Sequence, residues 1–468
     1  MKKTLAVILL VAFLFLTACA DTRETVQSET AEETEAQTAP LTETENTETT
    51  VTETDEMTET EEVTETEEIT ETEEITETET ETEEITTGYA PEPEKTAAPV
   101  IKGFTLTEPG KAMIYGECEY DSSLTVSSEL EEYTARSDGR FFAVYATLNG
   151  KGETAVKISA RADEKTDSES AEISVGNDKD ADDSGLAVTL GSRVIEKRVL
   201  PDQYGNNGFS ESDINSIKDA VKYRLKKSEQ AAGKPVRLVY IIVPDPLTVY
   251  PEELTQQMKE KVESPNLRLK QTVEALSGID GVTVIDLTDT LKENKQNGKL
   301  YYKLDSHWTE LGAFYGYQAV MKALGLPYHE LSDYRVDYTD IDDTDMNVYS
   351  GVGTGEMYES APYLSALFEE KTPYGKNKED TARIWSFVYE YFSGQTSKTV
   401  ADEGPAALFL FDSYGLNIIP FLAEHFGTFL TEPIWKYSVD YSLVSDIEPD
   451  YIIELLAERN VDELLSST

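Results

Sequence analysis

The chain has 468 residues, enough for two or three domains, and it is acidic: 91 Asp and Glu stand against 40 Lys and Arg, a formal net charge of −51. About half of that charge, a net −26 from 28 acidic and two basic residues, lies between Asp21 and Lys95. An acidic chain without a basic stripe argues against nucleic acid as a partner.

Residues 1–19 read as a signal peptide. Lys2 and Lys3 precede the apolar run LAVILLVAFLFL, which ends at Leu16 and is followed by Thr17-Ala18-Cys19. A basic start, a short apolar run and small residues mark a secretory leader, and the run is short for a transmembrane helix. The Leu-Thr-Ala-Cys ending resembles the lipobox of bacterial lipoproteins. That resemblance implies that Cys19 carries lipid, becomes the mature N-terminus and holds the chain on the extracytoplasmic face of a cell membrane, as at a Gram-positive cell surface. The alternative is a signal peptide without lipid. Cys118 then has no partner for an intrachain disulfide; it falls in the alternating stretch AMIYGECEY, where a small buried residue of a strand is expected.

Residues 20–97 read as a disordered Thr/Glu-rich tether. TETEEVTETEEITETEEI repeats every six residues, and its apolar residues Met57, Val63, Ile69 and Ile75 share that spacing. Six fits neither the helical nor the heptad period, so no apolar stripe forms. Dense like charge keeps such a segment extended and unable to bury a core. Residues 98–176 change character. Short alternating runs are broken by Gly, Asp-Gly and Asn-Gly, the pattern of a small antiparallel sandwich, and it resembles the immunoglobulin-like modules of bacterial surface proteins. With no His, it reads as a spacer or binding module. Residues 177–185 read as a linker.

From 186 to 468 the pattern is α/β. VRLVYIIVP (236–244), VTVIDL (282–287), AALFLF (406–411) and DYIIELL (450–456) are apolar runs of the kind that a parallel sheet buries on both faces, although the last also fits a helix. Ser210 is placed to cap a helix presenting Ile214, Ile217, Val221 and Leu225, Pro251 to open another, and Thr309 to cap a third that carries Leu311, Phe314, Ala319 and Leu324 before Gly325.

Two stretches of this domain carry chemistry. AALFLF runs into Asp412-Ser413-Tyr414-Gly415 and a helix, which presents Ser413 at the rim of the sheet. There the N–H groups of the helix start would lie near Oγ and could stabilise an oxyanion. A serine nucleophile needs a base and the base needs an orienting carboxylate; Asp305 and His307, two apart in LYYKLDSHWTELGAFYGY, are one of each. The positive end of the helix capped by Thr309 is expected to disfavour imidazolium and keep His307 neutral. A lone Asp-x-His or a lone Asp-Ser is more often structural, but the chain has only three histidines and both patterns fall in one α/β domain.

Asp-x-His-Trp-Thr followed by Gly, then a strand ending in Asp-Ser-aromatic, resembles the SGNH-type domain of the alginate O-acetylation proteins AlgJ and AlgX and the related DHHW proteins of Gram-positive bacteria. VPDPLTVYPEEL and PDYIIELLAER are similar to further stretches of that group. The resemblance covers about 186–468 and implies an SGNH-like three-layer α/β domain with a parallel sheet, with Ser413 as nucleophile, His307 as base and Asp305 as its orienter. Tyr414, Gly415, Trp308 and Lys436 are then candidates for oxyanion or substrate contacts, Lys436 falling where the group often has an arginine. Phe411 stands where Gly often precedes Asp-Ser, and Ser306 replaces the first His of DHHW, departures that point to a different substrate or efficiency. The implied activity is O-acyl transfer to, or esterase action on, a cell-surface polysaccharide, with an acyl-exporting membrane protein as partner and no cofactor or metal. A surface glycan-binding or adhesion protein with a degenerate hydrolase fold is the alternative. DYTDIDDTD (337–345) reads as a solvated acidic loop without a calcium-binding pattern, His425 as a favourable charge at a helix end, and His329 as having no special setting. The Tyr-rich interval 328–391 reads as a lid, a sugar platform or ordinary core.

Overall fold

The computed structural model describes residues 93–353, 355–367, 397–400 (as backbone), 404–433 and 439–465. The expectations for the signal peptide, Cys19, most of the tether, Lys436 and the later part of the Tyr-rich interval lie outside the described residues. Among the described residues no helix is long and apolar enough to cross a membrane.

Seven strands follow in short order: β1 (Val100–Glu108), β2 (Lys111–Glu117), β3 (Ser123–Ser127), β4 (Glu132–Arg136), β5 (Phe141–Thr147), β6 (Glu153–Arg161) and β7 (Ala171–Gly176). They make two antiparallel sheets, β1-β2-β5 and β4-β3-β6-β7. Ile114, Phe142 and Val144 of one face Leu124, Val126, Val156 and Ile158 of the other. Alternation in β3 and β6, with one face buried and one exposed, is the mark of a sheet wet on its outer side. Cys118 sits one residue past β2 and is half-buried beside this core, a strand-end position rather than a strand interior.

β2 and β5 are different. KAMIYGE and FFAVYAT are nearly continuous apolar runs, and both of their faces are buried. The second face, formed by Met113, Tyr115, Phe141 and Ala143, packs on Leu186, Val188, Val194, Leu304, Met346 and Met357 of the α/β part. The contact is also polar: Lys299 pairs with Asp138 of the sandwich and, at 3.2 Å, with the fully buried Glu359. The sandwich is therefore not only a spacer, since it shares a core with the segment that leads into Asp305.

The second part is layered α/β. A two-stranded ribbon, β8 (Leu186–Val188) with β9 (Val194–Glu196), precedes helix α1 (Glu211–Ala232), β10 (Arg237–Val243), α2 (Leu267–Ser277), β11 (Val282–Asp286), α3 (Thr288–Asn294) and α4 (Glu310–Leu324). An antiparallel hairpin, β12 (Tyr334–Ile341) with β13 (Glu359–Ala366), encloses the short helix α5 (Asp345–Ser350). Then come β14 (Ser397–Val400), β15 (Ala406–Phe411), α6 (Gly415–Ala423), β16 (Thr428–Pro433), α7 (Tyr441–Ile447) and β17 (Tyr451–Ala457). The sheet order is β11-β10-β17-β15-β16-β14; the first five are parallel and β14 joins the edge antiparallel. The region around DYIIELL is thus a central strand. Layers on both faces explain why consecutive residues are apolar: Ile453 and Leu455 face α4 and α6, whereas Ile452 and Leu456 face α1 and α2. The fold is the three-layer α/β arrangement expected, preceded by an all-β region.

Local signals agree. Ser210 and Asp213 form a reciprocal capping box at the start of α1, and Gly233 ends it at φ 67°. Thr309 Oγ1 accepts the Gly312 N–H at 3.2 Å, and Gly325 closes α4 at φ 70°. Pro251 opens only the three-residue turn Pro251–Glu253. A longer helix is broken there because Glu253 turns inward to a buried pairing with Arg193 at 2.9 Å and Lys303 at 2.5 Å. α4 lies unusually close to the segment before it: a Cβ at Gly312 would stand 2.3 Å from the Leu300 carbonyl oxygen, and one at Gly316 would stand 2.8 Å from the Trp308 ring.

The shared core makes a stability test. Phe141→Ala should cost about 3–5 kcal/mol, and the loss should register in the α/β part. Residues 98–176 contain no tryptophan, whereas Trp308 is fully buried in the α/β part, so a tryptophan signal does not come from the sandwich. A tryptophan melting transition left where it was in wild type would mean that the two parts unfold independently.

Candidate active site

β15 delivers Ser413 to the C-terminal edge of the sheet, and the turn after it is set by Asp412. Its buried carboxylate accepts the Tyr414 N–H at 3.0 Å through Oδ1, and the Ala457 N–H and Asn460 Nδ2 at 2.8 Å each through Oδ2. One side chain thus ties the end of β15 to the end of β17. Gly415 is required next: a Cβ there would stand 2.5 Å from the Phe411 side chain.

Opposite stands the segment 304–308. Ser413 Oγ lies 2.8 Å from His307 Nε2, and His307 Nδ1 lies 2.6 Å from Asp305 Oδ1, which also accepts the His307 backbone N–H at 3.0 Å. The row assigns the ring proton to Nδ1, where it is donated to the carboxylate, and leaves Nε2 to accept from the serine hydroxyl. This is the geometry in which a serine can lose its proton to an oriented imidazole. A serine and a histidine 106 positions apart are brought into hydrogen-bond contact.

The electrostatics differ from the expectation drawn from the helix alone. Burial would lower the His307 pKa, but the Asp305 charge and hydrogen bond, with Asp345 behind them, outweigh it and raise the pKa above 6.5. A carboxylate at 2.6 Å outweighs a helix start. Burial works against ionisation of Asp305 too, yet the His307 ring and the amides of His307 and Asp345 hold its carboxyl below the ordinary value.

The other candidates have structural posts. Trp308 is fully buried and its Nε1–H donates to the Tyr414 carbonyl at 2.8 Å. The Tyr414 hydroxyl donates to the Ser306 carbonyl at 2.5 Å. The amides of Tyr414 and Gly415, expected to face the serine oxygen, are turned to the Asp412 carboxylate and carbonyl, at 3.0 and 2.9 Å.

Two residues of the site had no role in the sequence reading. Asp345 closes DYTDIDDTD, which is solvated over much of its length but is no loop: Tyr334–Ile341 pairs as β12, and Thr344 caps α5 so that Asp345 turns inward. It accepts the Ser306 N–H at 3.0 Å and the Ser306 hydroxyl at 2.5 Å. Ser306, which departs from the DHHW pattern, is thereby given a partner. Burial, then the neighbouring Asp305 charge, pushes the Asp345 carboxyl up to about 7. Arg459, in the Glu-Arg ending, donates to Asp245 at 3.1 Å and to the Ser306 carbonyl at 3.2 Å, with its guanidinium 5.0 Å from the Tyr414 ring centre. Only the Glu-Arg pair hinted at it in the sequence; nothing hinted at Asp345, because its partner lies 39 residues away.

Residues 215–345 match the SGNH hydrolase-like domain of the acetyltransferase AlgX. The matched range holds Asp305, His307 and Asp345 and ends before Ser413. No curated protein matches the chain. Among solved structures, a DHHW family protein from Eubacterium siraeum is 15% identical, with 67% of this chain and 95% of that one aligned at a TM-score of 0.41. PatB1 of Bacillus cereus is 15% identical over 54% of this chain and 91% of its own, at 0.39. The O-acetyltransferase domain of Pseudomonas putida AlgJ is 14% identical over 59% and 92%, at 0.37. The family model names the SGNH-type domain that Asp305–Thr309 resembles.

Asp345 gives a pH test. With its pKa raised from 3.8 to about 7, the folded chain holds a proton that the unfolded chain releases near pH 4. Stability then falls as pH rises between those values and levels off above about 7. Asp345→Asn cannot ionise and escapes this loss. The melting temperature of the variant minus that of wild type should therefore rise from pH 4 to pH 8; a difference that stays flat would rule out the shifted carboxyl.

Proposed function

We propose that this protein is an extracytoplasmic O-acyltransferase or esterase, tethered to the membrane through lipid on Cys19, that acts on O-acetyl groups of a cell-surface polysaccharide. The row from Ser413 through His307 to Asp305, at 2.8 and 2.6 Å, carries the reading. Ser413 Oγ attacks the acyl carbonyl while His307 Nε2 takes its proton; the bond between acyl carbon and donor oxygen breaks, and His307 returns the proton to the leaving alcohol. A sugar hydroxyl or water then gives its proton to His307 and attacks the acyl-serine, and Ser413 regains its proton. Asp305 holds the ring and balances the imidazolium that forms at each stage. If the donor is supplied from inside the cell, an acyl-exporting membrane protein is the partner that this scheme requires. The acidic tether between Cys19 and the folded part would hold the site away from the membrane, within reach of a wall polymer.

The purified protein should cleave p-nitrophenyl acetate, a substrate whose leaving group demands little binding. Ser413→Ala and His307→Ala should each lower the rate by about a thousandfold or more, with little further loss in the double variant, because the members of a triad act as a unit. Asp305→Asn should cost up to about ten-thousandfold. Full activity in folded Ser413→Ala would overturn the assignment. A wild type that cleaves neither simple esters nor acetylated glycans but binds glycans would establish the adhesion reading instead.

The pH profile follows from the site. His307 must be neutral to accept a proton, so activity rises as pH passes through its pKa, which is raised above 6.5. The midpoint of the acidic limb of kcat/KM should lie above pH 6.5; a midpoint below that value would mean that Asp305 does not control the ring.

A further inference from the structure

The two histidines outside the triad meet at the far end of the same helices. His425 follows α6, and its Nε2 lies 2.6 Å from the Tyr317 hydroxyl on α4. His329 follows α4, and its backbone N–H donates to that same hydroxyl at 2.6 Å. Glu424 lies between them, with Oε2 3.6 Å from His329 Nε2. His329, Glu424 and His425 each offer a ligand atom, and these atoms all lie within 4.8 Å of one another. His425 is buried, Glu424 nearly so, and the His329 side chain keeps 19% exposure, which leaves a way in from solvent.

We propose that His329, Glu424 and His425 form a divalent-metal site of the zinc-binding kind that clamps the C-terminal ends of α4 and α6. Two nitrogens and one carboxylate oxygen are a familiar zinc donor set, and bonds of about 2.0–2.2 Å in tetrahedral geometry place donors about 3.4 Å apart. The 3.6 Å between His329 and Glu424 is already close to that value. Nε2 of His425 lies 2.6 Å from the Tyr317 hydroxyl, so in the proposed site this ring would bind through Nδ1 and donate the Nε2 proton to Tyr317. An outer partner stands nearby. Asp333 Oδ2 lies 3.8 Å from His329 Nδ1, outside hydrogen-bond range but one small side-chain movement from the carboxylate–histidine contact that orients a ligand ring. Gln318 of α4 holds the His329 carbonyl at 2.9 Å and Glu330 at 3.0 Å, so the His329 segment is seated on the helix. The site stands apart from the proposed catalysis, but it joins the helix that follows His307 to the helix that follows Ser413.

The test is metal binding by the full chain, stripped with EDTA and titrated with ZnCl2 by calorimetry and with CoCl2 by visible absorption. One ion per chain should bind, cobalt should show the d–d bands of a low-symmetry site, and zinc should raise the melting temperature. His329→Ala and the nearly isosteric Glu424→Gln should each weaken zinc by more than about a hundredfold, and Asp333→Ala by about 10–100-fold. His307→Ala should bind as wild type does. Loss of binding in His307→Ala alone would place the metal on Asp305, His307 and Asp345 and overturn the proposal. Equal zinc binding by all the variants would assign it to the acidic tether and overturn it too, as would no binding at micromolar zinc.

Discussion

The site depends on a contact that does not involve the reacting atoms. The turn after β15 and the start of α6 are fastened to the segment before α4 by three hydrogen bonds, and Arg459, just past β17, adds a fourth. The Ser306 carbonyl accepts from the Tyr414 hydroxyl and from Arg459, Trp308 Nε1 donates to the Tyr414 carbonyl, and Asn417 donates to the Trp308 carbonyl at 2.8 Å. Trp308 and Tyr414 are fully buried and the other groups partly so, and a buried donor left unmet costs more than a bond made in water gains. The two segments therefore have one arrangement that satisfies them, and in it His307 reaches Ser413. Reacting groups placed in advance need not be ordered during the reaction.

That arrangement concentrates charge. Asp305 and Asp345 share one side of His307 with their ligand oxygens within 4.8 Å of the ring nitrogen. Two carboxylates so close do not both ionise easily, and the structure separates them. Asp305 is held low by the ring and by two amides, whereas Asp345 is pushed up to about 7 and spends its acceptors on Ser306. A second pair repeats the pattern beneath Arg459. Burial raises Asp245 to about 6 against the pull of Arg459, and Glu458, buried and beside Asp245, reaches about 8. Arg459 is thus the cation around which the acidic floor of the site is arranged, with its other hydrogen bond spent on Ser306.

What was legible in the sequence was local. Caps such as Ser210 and Thr309, the glycine stop at 325, and apolar runs of strand length follow from short-range geometry, and the fold class follows from their alternation. Asp305, His307 and Ser413 stood out because side-chain chemistry and spacing marked them; that they come within hydrogen-bond reach is a property of the sheet order, which places β17 between β10 and β15. Pairings between distant segments were not legible. Asp345 looked like one acid among several in a polar stretch, since its inward turn depends on Thr344 and on hairpin pairing 20 residues on. His329 and His425 looked unrelated because 96 positions separate them, and only the packing of α4 on α6 brings their rings to 5.0 Å. Pro251 misled because a proline is compatible with a helix start but does not force the helix to continue.

The sandwich completes the argument about position. Leu304, one residue before Asp305, is buried against Met113, Tyr115 and Phe141. The Leu304 and Lys303 amides both donate to Glu359, at 2.8 Å each, and Glu359 pairs with Lys299, which in turn pairs with Asp138 of the sandwich. The segment 299–309 is therefore held on one side by an all-β module and on the other by α4, which approaches so closely that only glycine fits at 312 and 316. A loop in the open would pay conformational entropy each time it placed His307. Clamped between two cores, this one has little freedom left to lose, and the near-continuous apolar runs of β2 and β5 are the sequence cost of that clamp, because a strand that supports a neighbour must be apolar on both faces.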